Sequence, residues 1–325
     1  MAGLDRSVHA RLIAHTFALC DRTSLQAEGV RSFYEVPGDP RPSGRGSPFY
    51  GGGAYYAAMS NDRVPGDAEG LTYASYLALD ELLGLQRPRS AEHDELLFIT
   101  IHQTYELWFK QILHEVRGAM RAMAANESWR ASHRLSRVRH ILKIAVAQVD
   151  ILETLTPLEF AAFRSRLATS SGFESAQFRE IEALFGIRNA RLADLLPDEQ
   201  AREIVRATMR APSLWDATIH WLAARGSAVP ARLLSRDVSA PYEGDEGLQE
   251  VLLGIYRAGG EAASLLEQLV DIDEGVQEWR YRHVKMVERT IGRKSGTGGS
   301  TGVEYLAASL RRSLFPDLWA IRDRM

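Results

Sequence analysis

Cysteine is nearly missing from this sequence: Cys20 is the only one in 325 residues. A single thiol cannot close a disulfide within the chain, build a zinc cluster of several cysteines, or attach a cofactor through paired thioethers. A reducing, cytoplasmic home is the expectation. Long apolar runs are missing too. No stretch approaches eighteen consecutive apolar residues, so no membrane-spanning helix is expected. The first residues carry scattered charge (Asp5, Arg6, Arg11, Asp21, Arg22) and no clean apolar core before a cleavage site, which argues against a secretory leader. Nor is there an excess of either charge sign: 39 Lys and Arg stand against 42 Asp and Glu, net -3. That balance gives no reason to expect nucleic acid or an anionic membrane as a partner.

What is present is an ordinary globular composition, 45% hydrophobic and 25% charged, with ample material for a core. The length allows one large domain or two smaller ones. Between Arg31 and Gly70 fall five prolines and eight glycines. Runs such as Gly38-Asp39-Pro40-Arg41-Pro42 and Gly51-Gly52-Gly53 cannot continue a helix or a central strand. This segment reads as an irregular extension whose aromatics (Phe49, Tyr50, Tyr55, Tyr56) imply packing on something; a short amphipathic helix over 5–22 would precede it. After Leu71, strand-like alternation is scarce and helical periodicity dominates. Helices are predicted over 73–84, 92–125, 130–154, 156–167, 173–186, 197–209, 213–225, 246–289 (with a break near Gly259-Gly260) and 303–313. Two interruptions stand out, Ser170-Ser171-Gly172 and the glycine-rich stretch from Gly292 to Gly302. No repeat of solenoid period occurs. The fold class is all-α.

Two histidines lie on apolar stripes. Phe98, Ile101, His102, Tyr105, Trp108, Phe109 and Ile112 share one helical face, and Leu265, Leu269, Ile272, Val276, Trp279, His283 and Met286 share another. A lone histidine on such a face is ordinarily a core residue satisfied by one hydrogen bond. Two of them on separate long helices incur the desolvation cost twice, which favours a shared purpose. A neutral imidazole inside a helical bundle is a good ligand for iron or zinc. Zinc fits less well, because no HExxH pair and no acidic or cysteine partner at ligand spacing accompanies either histidine. Haem needs only one axial histidine and an apolar slot.

Other groups are open to two readings. Phe160 and Arg164 lie four apart and meet on one helical face. They read either as a surface arginine over a core phenylalanine, or as an aromatic wall beside a guanidinium that receives a carboxylate. The glycine stretch has neither the GxGxxG spacing nor the Gly-Lys-Ser/Thr of a phosphate cradle, and no strand feeds it. A loop that closes over a substrate, with Thr297 or Ser300 supplying a hydroxyl, competes with a plain connector. The basic run Arg130, Arg134, Arg137, Arg139, Lys143 reads as a solvated helix face, and Tyr73 with Tyr76 as core or lid.

In order along the chain stand LTYASYL, HDELLFITIHQTYELWFKQILHE, LEFAAFR, SSGFESAQFR, WRYRHVKMVERTIG, GTGGSTGVEYL and LFPDLW. Together these motifs, covering roughly Leu71 to the C-terminus, resemble the tryptophan 2,3-dioxygenase family. The resemblance implies a helical bundle domain over 71–325 enclosing haem b, preceded by a Gly/Pro-rich extension over 1–70 that it does not cover. It implies cleavage of the indole pyrrole ring of L-tryptophan with O2 to give N-formylkynurenine, in a homotetramer. By motif, His283 is the axial ligand of the haem iron and His102 the histidine facing the substrate's indole nitrogen. Phe98 and Phe160 wall the indole, Arg164 pairs with the carboxylate, and Thr297 contacts the charged end of the amino acid. Tyr73 and Tyr76 resemble a pair that reaches a neighbouring subunit's site, and Ser171 and Gly172 lie near the haem. Bacterial relatives often carry tyrosine where Phe160 stands, which would alter polarity near the substrate. Three rivals remain at this point. One is a relative that inserts a single oxygen into tryptophan or a substituted tryptophan to give an oxindole-type product; another is a non-catalytic haem sensor of O2; the third is a helical interaction module without cofactor.

Overall fold

In the computed structural model, which describes residues 70–168, 170, 172–292, 310 and 312–325, all regular structure is helical and no strand occurs among the described residues. The helices are α1 Tyr73–Tyr76, α2 Leu79–Leu83, α3 Glu95–Ala124, α4 Ser128–Leu152, α5 Pro157–Arg164, α6 Ala176–Leu184, α7 Ala190–Asp194, α8 Glu199–Arg210, α9 Leu214–Ala224, α10 Ala231–Leu234, α11 Glu246–Ala258, α12 Gly260–Ile291 and α13 Pro316–Ala320. Short 3-10 turns follow at Ser165–Leu167, Gly172–Glu174 and Arg322–Arg324. The helices predicted over 5–22 and over most of 303–313 lie outside the described residues.

The three long helices make the frame, with α4 packed on α3 and on α12. Their facing stripes supply the core: Ile101, Tyr105, Phe109 and Ile112 from α3, Leu135, Val138 and Leu142 from α4, and Leu265, Leu269, Ile272 and Val276 from α12. α3 and α4 are joined by a tight turn in which Asn126 takes the left-handed conformation (φ 56°), one that asparagine adopts more readily than most side chains. Gly275 lies where α12 meets α4, and a Cβ there would come into van der Waals contact with Leu142 at 3.4 Å. The basic run on α4 is not simply a solvated face. Arg134 donates to the Gly118 carbonyl at 2.7 Å, Arg137 pairs with buried Glu115 at 2.7 Å, and Arg139 pairs with Asp271 at 2.7 Å. The guanidiniums reach across to α3 and α12 because their long stems can lie along apolar surface while the charge finds a partner.

Helix boundaries depart from the periodicity at one place and follow it at another. The stretch 73–84 is two helices, because Ala78 sits at φ 49° and ψ 47° and interrupts the hydrogen-bond ladder. The long C-terminal pattern breaks where expected: Gly259 and Gly260 have φ of 70° and 82°, so α11 and α12 are separate elements. The short helices α7, α10 and α13 carry too few turns to leave a periodic signal.

The chain after the glycine-rich stretch is fastened back onto α12 by Asp273. Its wholly buried carboxylate accepts from the Leu314 and Phe315 amides at 2.8 and 3.1 Å, from the Trp319 indole at 2.8 Å and from Gln277 at 2.9 Å. Asp317 plays the same part toward α11, accepting from the Tyr242 hydroxyl at 2.5 Å, the Asp245 amide at 2.7 Å and Gln249 at 3.0 Å. No described helix is long and apolar enough to cross a membrane.

Candidate active site

The N-terminal half of α3, helix α5 and the C-terminal half of α12 bring the sequence-predicted aromatic and histidine residues together. α5 forms locally for clear reasons. Thr156 and Glu159 make a reciprocal capping box, Thr156 Oγ1 accepting from the Glu159 amide at 3.3 Å and Glu159 from the Thr156 amide at 2.7 Å, with Pro157 at the first helical position. This start sets the phase of Phe160, Phe163 and Arg164. The Phe98 ring lies 5.7 Å from Phe160 and 5.6 Å from Phe163, and Phe160 meets Phe163 edge-on at 5.5 Å. Phe98 also lies 4.1 Å from the His102 ring, one turn further along α3. Arg164, half-buried, ends α5 one turn past Phe160.

His102 and His283 are enclosed by protein yet each keeps some accessible surface, as side chains do when they line a recess rather than fill a core. Nδ1 of His102 lies 2.7 Å from the Phe98 carbonyl oxygen. A carbonyl only accepts, so Nδ1 carries the proton and donates, and Nε2 is left with a lone pair. Burial holds the His102 pKa below its ordinary value, against the opposing effects of that hydrogen bond and of Glu106. His283 is pushed down to about 4 by burial, by the nearness of His102 and by Arg179. Both rings are therefore neutral at pH 7, and His102 disfavours a charge on His283.

The His283 ring stacks on Trp279, with centroids 5.1 Å apart and planes 10° from parallel. Trp279 in turn lies 4.8 Å from Phe178 and meets Tyr105 and Phe109 edge-on at 6.2 Å each. Beside this cluster runs a buried ionic network in which Glu182 accepts from Arg179 at 2.5 Å and from Arg280 at 3.3 Å.

A metal ion held by protein alone has no home here, because no group of three or more His, Cys, Asp or Glu converges among the described residues. A metal that brings its own equatorial ligands needs only one axial imidazole and apolar surroundings, and His283 meets that requirement. Gly172 faces open space, since a Cβ there would meet nothing within 4 Å. Ser171 and Thr297 lie outside the described residues. Tyr73 and Tyr76 are not brought to this recess; they stand on α1 with 76% and 72% of their surface exposed.

Sequence reasoning missed Phe163, wholly buried and in contact with both Phe98 and Phe160, although its i+3 spacing from Phe160 was a usable signal. It also missed the Arg179–Glu182–Arg280 network. Arg280 and Glu182 are 98 positions apart, and no local pattern pairs them.

Fold and site together define an all-helical protein with an enclosed imidazole on α12 and, on α3 and α5, an aromatic cluster beside a second histidine. Comparison with known proteins narrows this. The profile of the family described as tryptophan 2,3-dioxygenase matches residues 59–225 and 246–325. The tryptophan 2,3-dioxygenase of Anaeromyxobacter sp. (strain K) is 56% identical over 260 residues, covering 78% of this chain and 96% of that protein. Those of Herpetosiphon aurantiacus and Caulobacter vibrioides are 51% and 44% identical over 257 and 262 residues, covering 78% and 79% of this chain and 98% and 100% of theirs. The chain belongs to the tryptophan 2,3-dioxygenase family.

Proposed function

We propose that this protein is a haem-dependent dioxygenase that opens the indole pyrrole ring of L-tryptophan with O2 to give N-formylkynurenine. The observation that carries the reading is the pairing of two chemically distinct imidazoles at one aromatic recess. His283 is neutral and stacked, and no group of three or more His, Cys, Asp or Glu converges among the described residues; His102 has its tautomer set by a main-chain carbonyl. His283 would hold haem b, which when bound would supply the binding and activation of dioxygen. Everything else falls to the chain's own residues.

His102 presents Nε2 as an acceptor, the complement of an indole N–H, and serves by hydrogen bonding without having to remove a proton. Phe98 and Phe160, backed by the buried ring of Phe163, offer ring faces and edges to a flat apolar substrate and keep water from it. Arg164, one turn from Phe160, receives the substrate carboxylate through charge-assisted hydrogen bonds. Holding the amino acid at both ends fixes the direction in which its ring points, and orientation of this kind removes much of the entropic barrier. A bare O2 sensor would have no use for a carboxylate-binding cation beside an aromatic wall.

The reading extends to assembly. The domain over 71–325 works as a cytoplasmic homotetramer, with the extension over 1–70 outside the catalytic fold. Tyr73 and Tyr76 lie against a neighbouring subunit's site, and their exposure in the single chain supports this, because contiguous bare apolar surface commonly marks an interface.

The test begins with the visible spectrum of the purified protein, which should show a haem band. After reduction, L-tryptophan is added in air and the product is weighed by mass spectrometry. A gain of two oxygen atoms is expected; a gain of one would replace this reading with single-oxygen insertion, and a colourless protein would overturn it. Arg164→Ala should raise KM roughly 10- to 100-fold, the range of a lost hydrogen bond to a charged group.

A further inference from the structure

We infer that Trp279 is a positioning residue that sets the rotation of the His283 ring, and that it does so by stacking where a hydrogen bond would ordinarily serve. The inference rests on His283 being the axial ligand. An imidazole that holds a metal through one nitrogen is usually oriented by a hydrogen bond from the other. Among the described residues neither ring nitrogen of His283 has a hydrogen-bond partner. Among those residues, packing is what restrains its rotation.

The packing is specific. The indole one turn earlier on α12 lies 10° from parallel to the imidazole, with centroids 5.1 Å apart. Turning the imidazole about its side-chain bonds would set its edge against the indole face and lose that contact. The indole is itself braced, by Phe178 at 4.8 Å and by Tyr105 and Phe109 standing edge-on at 74° and 82°. Tyr105 is pinned in turn, its hydroxyl donating to the Ala145 carbonyl at 2.8 Å in the interior. It sits on α3 three positions past His102, so one aromatic cluster braces the helices that carry both histidines. On the same cluster opens a cavity of about 20 Å³, lined by Phe109, Ile112, Leu142, Phe178, Val276 and Trp279 among others. Shortening a brace would enlarge this space beside the indole.

The experiment is resonance Raman spectroscopy of the reduced holoenzyme, reading the iron–imidazole stretching band. The wild-type band should be single and narrow. Trp279→Leu should broaden or split it, and Trp279→Phe, which keeps an aromatic face under the imidazole, should restore most of the narrow band. Phe178→Leu removes a brace from Trp279 without touching that residue or His283, and should broaden the band in the same sense. Added to Trp279→Leu, it should change nothing further. A Trp279→Leu band as narrow as the wild type's, at the same position, would overturn the inference. Where that variant fails to fold, an unchanged band in both Trp279→Phe and Phe178→Leu would do so. A wild-type protein with no haem spectrum is a separate outcome and removes the ligand reading beneath it.

Discussion

At the scale of single residues, the decisive atom is Nε2 of His102. Because Nδ1 is committed to the Phe98 carbonyl, Nε2 can only accept while the ring stays neutral. A tryptophan methylated at the indole nitrogen has no proton to offer there. It should bind roughly tenfold more weakly than tryptophan, the scale of one neutral hydrogen bond with its acceptor left unpaired. His102→Ala should erase most of that difference, which competitive binding assays would measure; equal discrimination in both proteins would reassign the indole nitrogen's partner. His283 makes a second prediction, for the haem-free protein. Its pKa falls from 6.5 to about 4 on folding, so the folded state binds protons less readily than the unfolded one. The stability this contributes is complete above pH 6.5 and is lost as the pH falls toward 4, to no more than about 3 kcal/mol. Urea midpoints of the apoprotein across that window should fall more steeply than those of His283→Leu, and parallel curves would contradict the assignment of burial as the cause.

At the scale of elements, α5 shows how a cap governs a site it does not touch. Thr156→Ala removes one half of the capping box and should cost about 1 kcal/mol of stability. Since α5 carries Phe160 and Arg164, KM for tryptophan should rise severalfold while kcat changes little. A variant with lowered melting temperature and unaltered KM would show that α5 is held in place by its packing alone. The same helix shows what was legible beforehand. Its start was readable in Thr156-Pro157 and its i, i+4 pair in Phe160 and Arg164, because capping and helical phase are local properties. The stripes of α3 and α12 were readable for the same reason, and so were both histidines within them. The stacking of Trp279 on His283 was half legible: the spacing placed both residues on one stripe, but whether neighbours on a stripe stack is decided by the partner helices. The Asp273 clamp was not legible at all, because its donors Leu314, Phe315 and Trp319 lie more than forty positions away. Asp273→Ala strips the acceptor from two buried amides, the Trp319 indole and Gln277, and should destabilise the protein by about 3–5 kcal/mol. Hydrogen exchange at the Leu314 and Phe315 amides should rise sharply, and protection kept at those amides would show another anchor.

At the scale of the whole molecule, the exposed Tyr73 and Tyr76 make a prediction that a single chain cannot satisfy. If they complete a neighbour's site, a chain with Tyr73→Ala and Tyr76→Ala and a chain with Arg164→Ala should each be poorly active alone. Mixed oligomers of the two should recover activity, because the first chain's intact Arg164 site would then receive the second chain's intact tyrosines. Co-expression with two affinity tags isolates the mixed species, and a mixture no more active than its parents would confine the tyrosines to their own chain.

The bond between His102 and the Phe98 carbonyl has one more consequence. A side-chain partner can be lost by a single codon change, but a main-chain oxygen is present whatever residue occupies position 98. As long as α3 remains a helix, the ring keeps its acceptor edge outward. Substitutions can then accumulate around the recess, and even reshape which indoles it admits, without resetting the polarity of the group at its centre.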